Sequence, residues 1–159
     1  TGDGGLRDQL REGDKESSLR RWLAQGLRER SRGKYTVPEE AVIDQEKRPD
    51  IRIEHPTAGR VSIEVKWAAS WTISELLERL QNQLVGQYLK AHDSRYGVYI
   101  LGMIGSHKWK HPVDGHLLFF EEVVELVRDR ARHLRQTLPN VHGLEVVSID
   151  FRAPARTPH

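Results

Sequence analysis

Asp50, Glu64 and Lys66 stand where two short alternating runs can bring two carboxylates and an ammonium together. Pro49-Asp50 opens the run Ile51-Arg52-Ile53, and Glu64-Val65-Lys66 closes the run that begins at Val61. Alternation of apolar and polar residues predicts two half-buried strands, and His55-Pro56-Thr57-Ala58-Gly59 predicts the hairpin turn between them. Successive side chains of a strand point to opposite faces, so Glu64 and Lys66 share one face while Val61, Ile63 and Val65 turn toward the core. Asp50 takes the phase opposite Ile51 and Ile53, on the polar side of the hairpin. Hard divalent cations prefer carboxylate and carbonyl oxygens, so Asp50, Glu64 and the backbone carbonyl of Val65 are candidate ligands for Mg²⁺, with Mn²⁺ able to substitute. Such an ion makes a water more acidic and polarises a phosphate oxygen, and Lys66 would orient that water or neutralise charge on the phosphorane. The competing reading makes Glu64 and Lys66 the solvated face of an ordinary strand.

Pro49-Asp50 and Glu64-Val65-Lys66, with thirteen residues between Asp50 and Glu64, resemble the signature of the PD-(D/E)xK, or restriction-endonuclease-like, nuclease superfamily. The resemblance implies an αβββαβ core from about Asp14 to Met103, hence an α/β domain with a mixed central sheet flanked by helices. A C-terminal helix and strand would be additions to it. It also implies attack by water without a covalent enzyme intermediate. The further acidic residue that many members carry on the first helix, assisting the catalytic set and the metal, is matched by Glu16, which lies three residues before Leu19 and seven before Leu23 and so continues their apolar stripe. The other reading of Glu16 is a first-turn glutamate favoured by the helix dipole.

Several branches of the superfamily carry a glutamine on the helix that lines the cleft, in some followed four residues later by a tyrosine. Here Leu84 stands four residues before Tyr88, whereas Gln83 and Gln87 are four apart and share a helical face. Both glutamines are candidates to bind substrate phosphate or a metal-bound water, or else form a solvated amide pair. The expectation is a Mg²⁺-dependent endonuclease acting on DNA, an effector domain of a larger bacterial restriction or antiphage-defence protein. The alternative is a nuclease fold that binds nucleic acid or protein without catalysis.

The elements that must position these groups follow from periodicity. A helix over 14–30, with Leu19, Trp22, Leu23 and Leu27 on one face, is stopped by Ser31-Arg32-Gly33. A strand over 35–43 is interrupted by Pro38, and Glu39 or Glu40 in it could add an oxygen ligand. Residues 44–48 turn into the hairpin. Trp67 and Trp71 lie in the loop after Lys66, where packing competes with stacking on a base. Thr72-Ile73-Ser74-Glu75 is a capping box opening a helix that runs to about Ala91. Tyr96 to Met103 is almost continuously apolar and predicts a central strand. The loop over 105–115 holds Lys108, Trp109 and Lys110, an aromatic among basic residues that suits a grip on nucleic acid. His107 and His111 have the helical spacing of a zinc pair, but Pro112 argues against a helix there. A second amphipathic helix over 117–137 and a strand over 144–151 complete the chain.

At 159 residues and 37% hydrophobic content the sequence fits one domain with a real core. Twenty-five basic against 23 acidic residues leave net charge uninformative about nucleic acid. Without cysteine there is neither a disulfide frame nor a thiolate metal site, which makes a cytoplasmic setting the default. No apolar run is long enough for a membrane span. Residues 1–13 begin with the linker-like Thr1-Gly2-Asp3-Gly4-Gly5, 14–151 form the domain, and 152–159 read as a flexible tail. A linker at the start leads us to expect further domains of a longer protein. A homodimer is also expected if both strands of a duplex are cut.

Overall fold

The structure, a computed structural model, describes residues 14–39, 48–89 and 94–151. The expected linker, the expected tail, Glu40 and most of the turn over 44–48 lie outside the described residues. Among those described, a four-stranded mixed sheet carries the architecture, in the order β1 (Ile51–His55), β2 (Gly59–Trp67), β3 (Tyr96–Met103) and then the C-terminal strand Gly143–Asp150. β2 is antiparallel to β1 and parallel to β3, and the C-terminal strand is parallel to β3. β3 is therefore central, as its apolar run predicts. The chain is α/β, with helices on both faces of a mixed sheet.

Helix α1 (Lys15–Arg30) covers one face. Asp14 caps it by accepting the Ser17 amide at 3.2 Å and the Ser17 hydroxyl at 2.8 Å, and these bonds hold its carboxyl below the usual carboxylate range. Arg32 and Gly33 leave the helix with φ of 47° and 75°, a left-handed exit that glycine adopts without steric cost. Leu19 meets Ile63, Val65, Trp67 and Ile100 in the core beneath α1. Trp22, expected on that face, is 38% exposed and meets the edge of Phe151 at 6.4 Å.

The other face is covered by α2 and α3. Thr72 and Glu75 form the expected reciprocal capping box, and α2 (Ile73–Glu78) continues directly as a π-helix over Arg79–Tyr88. Then β3 is followed by a small hairpin, β4 (Trp109–Lys110) and β5 (Leu117–Leu118), before α3 (Phe120–Thr137) returns the chain to β6 (Gly143–Asp150). Leu117 and Leu118, expected to open the last helix, are thus in a strand, and Trp109 and Lys110, expected in a loop, are its partners. The expected strand over 35–43 is represented in its described part by one antiparallel bridge, Thr36 with Glu54, bonded in both directions at 2.9 Å. Pro38 has no N–H to extend that ladder.

α1 approaches the sheet at Gly102, where a β-carbon would lie 2.5 Å from Leu19 Cδ2 and 3.3 Å from the Trp67 ring. Gly102→Ala should therefore cost about 1–3 kcal/mol of stability by overpacking. Combined with Leu19→Ala it should cost less than the sum of the two single changes, measured by urea unfolding. Additive losses would show that α1 does not bear on this glycine.

Candidate active site

The hairpin register places the two carboxylates. Ile51 pairs with Ile63 and Ile53 with Val61, so the residue just past the end of this ladder, Asp50, comes beside Glu64. The Asp50 amide donates to Glu64 Oε1 at 3.3 Å, and Asp50 Oδ2 accepts the Val65 amide at 2.8 Å. Pro49 precedes Asp50, just past the last ladder pair Ile51–Ile63. In the ladder Val65 directs its N–H and its C=O to that same edge. The aspartate side chain takes the Val65 N–H, and Pro49 has no N–H to give the Val65 carbonyl.

Lys66 lies on the same face as Glu64, and the two are buried, at 4% and 1% exposure. The expectation of one polar and one core-facing side is corrected here: helices cover both faces, so the Glu64–Lys66 phase is interior as well. Beside them on β3 lie Tyr99 and Leu101, which belong to the core under α2 and α3. Buried charges need partners, and Lys66 Nζ donates to Glu64 Oε2 at 2.8 Å and to Gln83 Oε1 at 3.4 Å. The same ammonium stands 4.9 Å from the centre of the Trp71 ring, in cation–π contact. Burial, and then the charge of Asp50, push the Glu64 carboxyl up to about 7 against the lowering pull of Lys66.

Gln83 sits on the π-helix, and its Nε2 donates to the Tyr88 hydroxyl at 3.2 Å. In a π-helix the bonded neighbours are five residues apart, so Gln83 and Tyr88 line up where an α-helix would pair Gln83 with Gln87. Gln87 is exposed and does not share this line with Gln83. The Tyr88 hydroxyl is pushed up to about 12 by burial and by the nearby Glu64 charge, so it remains a donor near neutrality.

Glu16 points inward, as its stripe predicts, but toward the end of β2 rather than toward the other carboxylates. Its Oε2 accepts the Trp67 amide and the Trp71 indole N–H, both at 2.9 Å. That carboxylate therefore positions Trp71, which in turn lies against Lys66. Among the described residues, the His, Asp and Glu side chains that cluster in threes do not include Glu16, Asp50 or Glu64. Glu39 is exposed and stands 3.9 Å from Arg28.

Arg20 also belongs to the site. Its guanidinium is 3.3 Å from Asp50 Oδ1, and with Arg28, Arg48 and Arg52 it lines a cavity of about 160 Å³ beside Asp50. One signal was available: Arg20 is four residues after Glu16 and so follows it along the inward face. Trp109, by contrast, is removed from the candidate substrate contacts. It is 3% exposed, and its indole N–H donates to the carbonyls of Ala68 and Trp71 at 3.2 and 3.1 Å. Hairpin alternation turns Trp109 inward and leaves Lys108 and Lys110 outside. Lys108 lies over the Phe119 ring at 5.3 Å. Trp67 is buried against Phe151, so packing accounts for it.

Compared with protein-family models, with characterised proteins and with solved structures, the chain matches none. Among the described residues no helix is long and apolar enough to cross a membrane.

The Glu64 value carries a pH dependence. Because it lies above the ordinary 4.5, the folded state holds this proton more tightly than the unfolded state. Its contribution to stability is full below 4.5 and is lost as pH rises through about 7. Asp50→Asn keeps an acceptor for Val65 but removes the neighbouring charge, so Glu64 should titrate lower than in the native chain. Side-chain ¹³C NMR titration measures this, and an unchanged midpoint would show that the two carboxylates do not interact.

Proposed function

We propose that this domain is a nuclease of the PD-(D/E)xK type that hydrolyses DNA phosphodiester bonds with Mg²⁺ or Mn²⁺, a DNA-cutting effector of the restriction or antiphage-defence kind. The observation that carries the reading is the pair Asp50 and Glu64, joined by the Asp50 amide, at the edge where Val65 gives its N–H to Asp50 and Pro49 has no N–H for the Val65 carbonyl. Three oxygens of the type hard cations choose are thereby offered on one strand edge, so the donor set fits the metal. The αββαβ order of the described elements, with a bridge at Thr36 where a further strand would stand, supports a restriction-endonuclease-like fold.

A bound ion would supply an acidified water and a polarised phosphate oxygen. This chain's own residues would do the rest. Lys66, held by Glu64, Gln83 and the Trp71 ring, keeps a fixed positive charge where negative charge develops on the phosphorane. Its low exposure strengthens that interaction relative to water. Gln83, paired with Tyr88 five residues on, takes the place of the cleft glutamine that several branches pair with a tyrosine four residues on. The arginine-lined cavity beside Asp50 offers guanidinium groups to phosphates flanking the scissile one. Glu16 acts in this reading as a positioning residue, through Trp71, and not as a ligand.

Supercoiled plasmid and linear duplex DNA should be cut in Mg²⁺ or Mn²⁺ and left intact in EDTA. Asp50→Ala and Lys66→Ala should each lower the rate by about 10²-fold or more, on the scale of losing a preorganised electrostatic group. Glu16→Gln, which keeps an acceptor for both N–H groups, should cost far less. Full cutting by Asp50→Ala or Lys66→Ala would overturn the assignment. A native chain that binds duplex DNA and leaves it whole in both metals would assign the domain as the binding module without catalysis.

A further inference from the structure

His111 and His116 face each other across the β4–β5 hairpin. Its register pairs Trp109 with Leu118 and Lys110 with Leu117, so the next step sets the two histidines opposite. The His111 amide donates to the His116 carbonyl at 2.8 Å, and the Gly115 amide donates to the His111 carbonyl at 3.0 Å. The imidazoles stand side by side, 4.9 Å between centres and 14° from parallel. Asp114, at the tip, accepts the His116 amide at 3.0 Å and lies against His116 Nδ1, while His111 Nδ1 is 3.6 Å from the same Oδ1. Among the described residues, this trio is the one group of three His, Asp or Glu side chains whose ligand atoms all lie within 4.8 Å of one another.

We propose that His111, Asp114 and His116 form a binding site for a divalent transition metal of the Zn²⁺ class, separate from the Asp50–Glu64 site and independent of what that site does. Two imidazole nitrogens with one carboxylate oxygen make a donor set that suits zinc, whereas Mg²⁺ prefers oxygen alone. Tetrahedral bonds of about 2.0–2.2 Å put ligand atoms roughly 3.3 Å apart, close to the present His111–Asp114 separation. The Asp114–His116 contact has to open to the same spacing, which two exposed side chains can do by rotating. The Val113 amide, which donates to His111 Nδ1 at 3.1 Å, gives up that bond.

Three protein ligands leave a fourth position for water or for a carboxylate of α3. Glu121 and Glu122 line the same depression as His111 and His116, and their charge favours a cation there. The consequence reaches inward, because the hairpin's buried Trp109 is bonded to the carbonyls of Ala68 and Trp71. An ion across the hairpin would hold together the element that buttresses Trp71. His107, spaced for a helical zinc pair with His111, instead packs edge-on against Trp109 at 4.5 Å.

Calorimetric titration of the native chain with Zn²⁺, and Co²⁺ titration followed by visible absorption, test the site. One ion per chain at micromolar affinity or tighter is expected, undisturbed by a large excess of Mg²⁺ and retained in Asp50→Ala. His111→Ala and His116→Ala should each weaken binding by more than the roughly tenfold to hundredfold that losing a mere supporting contact costs. In ¹⁵N NMR the Nδ1 resonances of both histidines should shift with zinc, while circular dichroism of the two surface variants stays native. The proposal is overturned by absence of zinc binding, by binding that survives both substitutions, or by binding that Asp50→Ala removes.

Discussion

Glu64 and Lys66 meet at 2.8 Å between the sheet and the helix that crosses it, shut off from water, and the candidate site is organised around that ion pair. Removing one member of a buried pair leaves an uncompensated charge at a cost of about 3–5 kcal/mol, whereas replacing both by apolar residues is often neutral or better. Stability alone therefore gives weak reason for such a pair to occupy the middle of a strand. Its surroundings give a chemical one. A second carboxylate, Asp50, stands beside Glu64 and raises its proton affinity, and a cation shared by the two would relieve the repulsion that burial amplifies.

The covering helix supplies the other half of the environment. Widening its turn over Arg79–Tyr88 brings Gln83 over Lys66 and brings Tyr88 under Gln83, a relay that regular α-helical geometry would not align. On the loop between strand and helix, Trp71 faces Lys66 with its ring and Glu16 with its N–H. α1, β2, the loop and the π-helix thus each contribute one contact that fixes a charged group. Such preorganisation is the form in which a fold contributes to electrostatic catalysis.

Much of this was legible in the residues. Alternation around Pro49-Asp50 and Glu64-Val65-Lys66 suffices to set the hairpin and the neighbouring carboxylates, and the capping box at Thr72 and Glu75 marks the helix start. The burial of Glu64 and Lys66 was not legible, because a polar phase on a strand looks the same whether water or a helix faces it. The Gln83–Tyr88 pairing was hidden by the assumption of α-helical spacing, and nothing local announces a π-helix. Trp109 was misplaced for want of a two-residue strand, too short to show alternation, and that same hairpin joins His111 to His116 rather than to His107. Arg20 reaches Asp50 across thirty residues, a contact only the tertiary fold defines.

The most direct test of the central claim is diffraction from crystals soaked in Mn²⁺, with data collected to show the anomalous signal of the metal. The account predicts a peak within bonding distance of the Asp50 and Glu64 carboxylates and the Val65 carbonyl, and none at Glu16. A bound ion elsewhere with that edge empty at saturating Mn²⁺, in crystals that leave the cleft open, would contradict it.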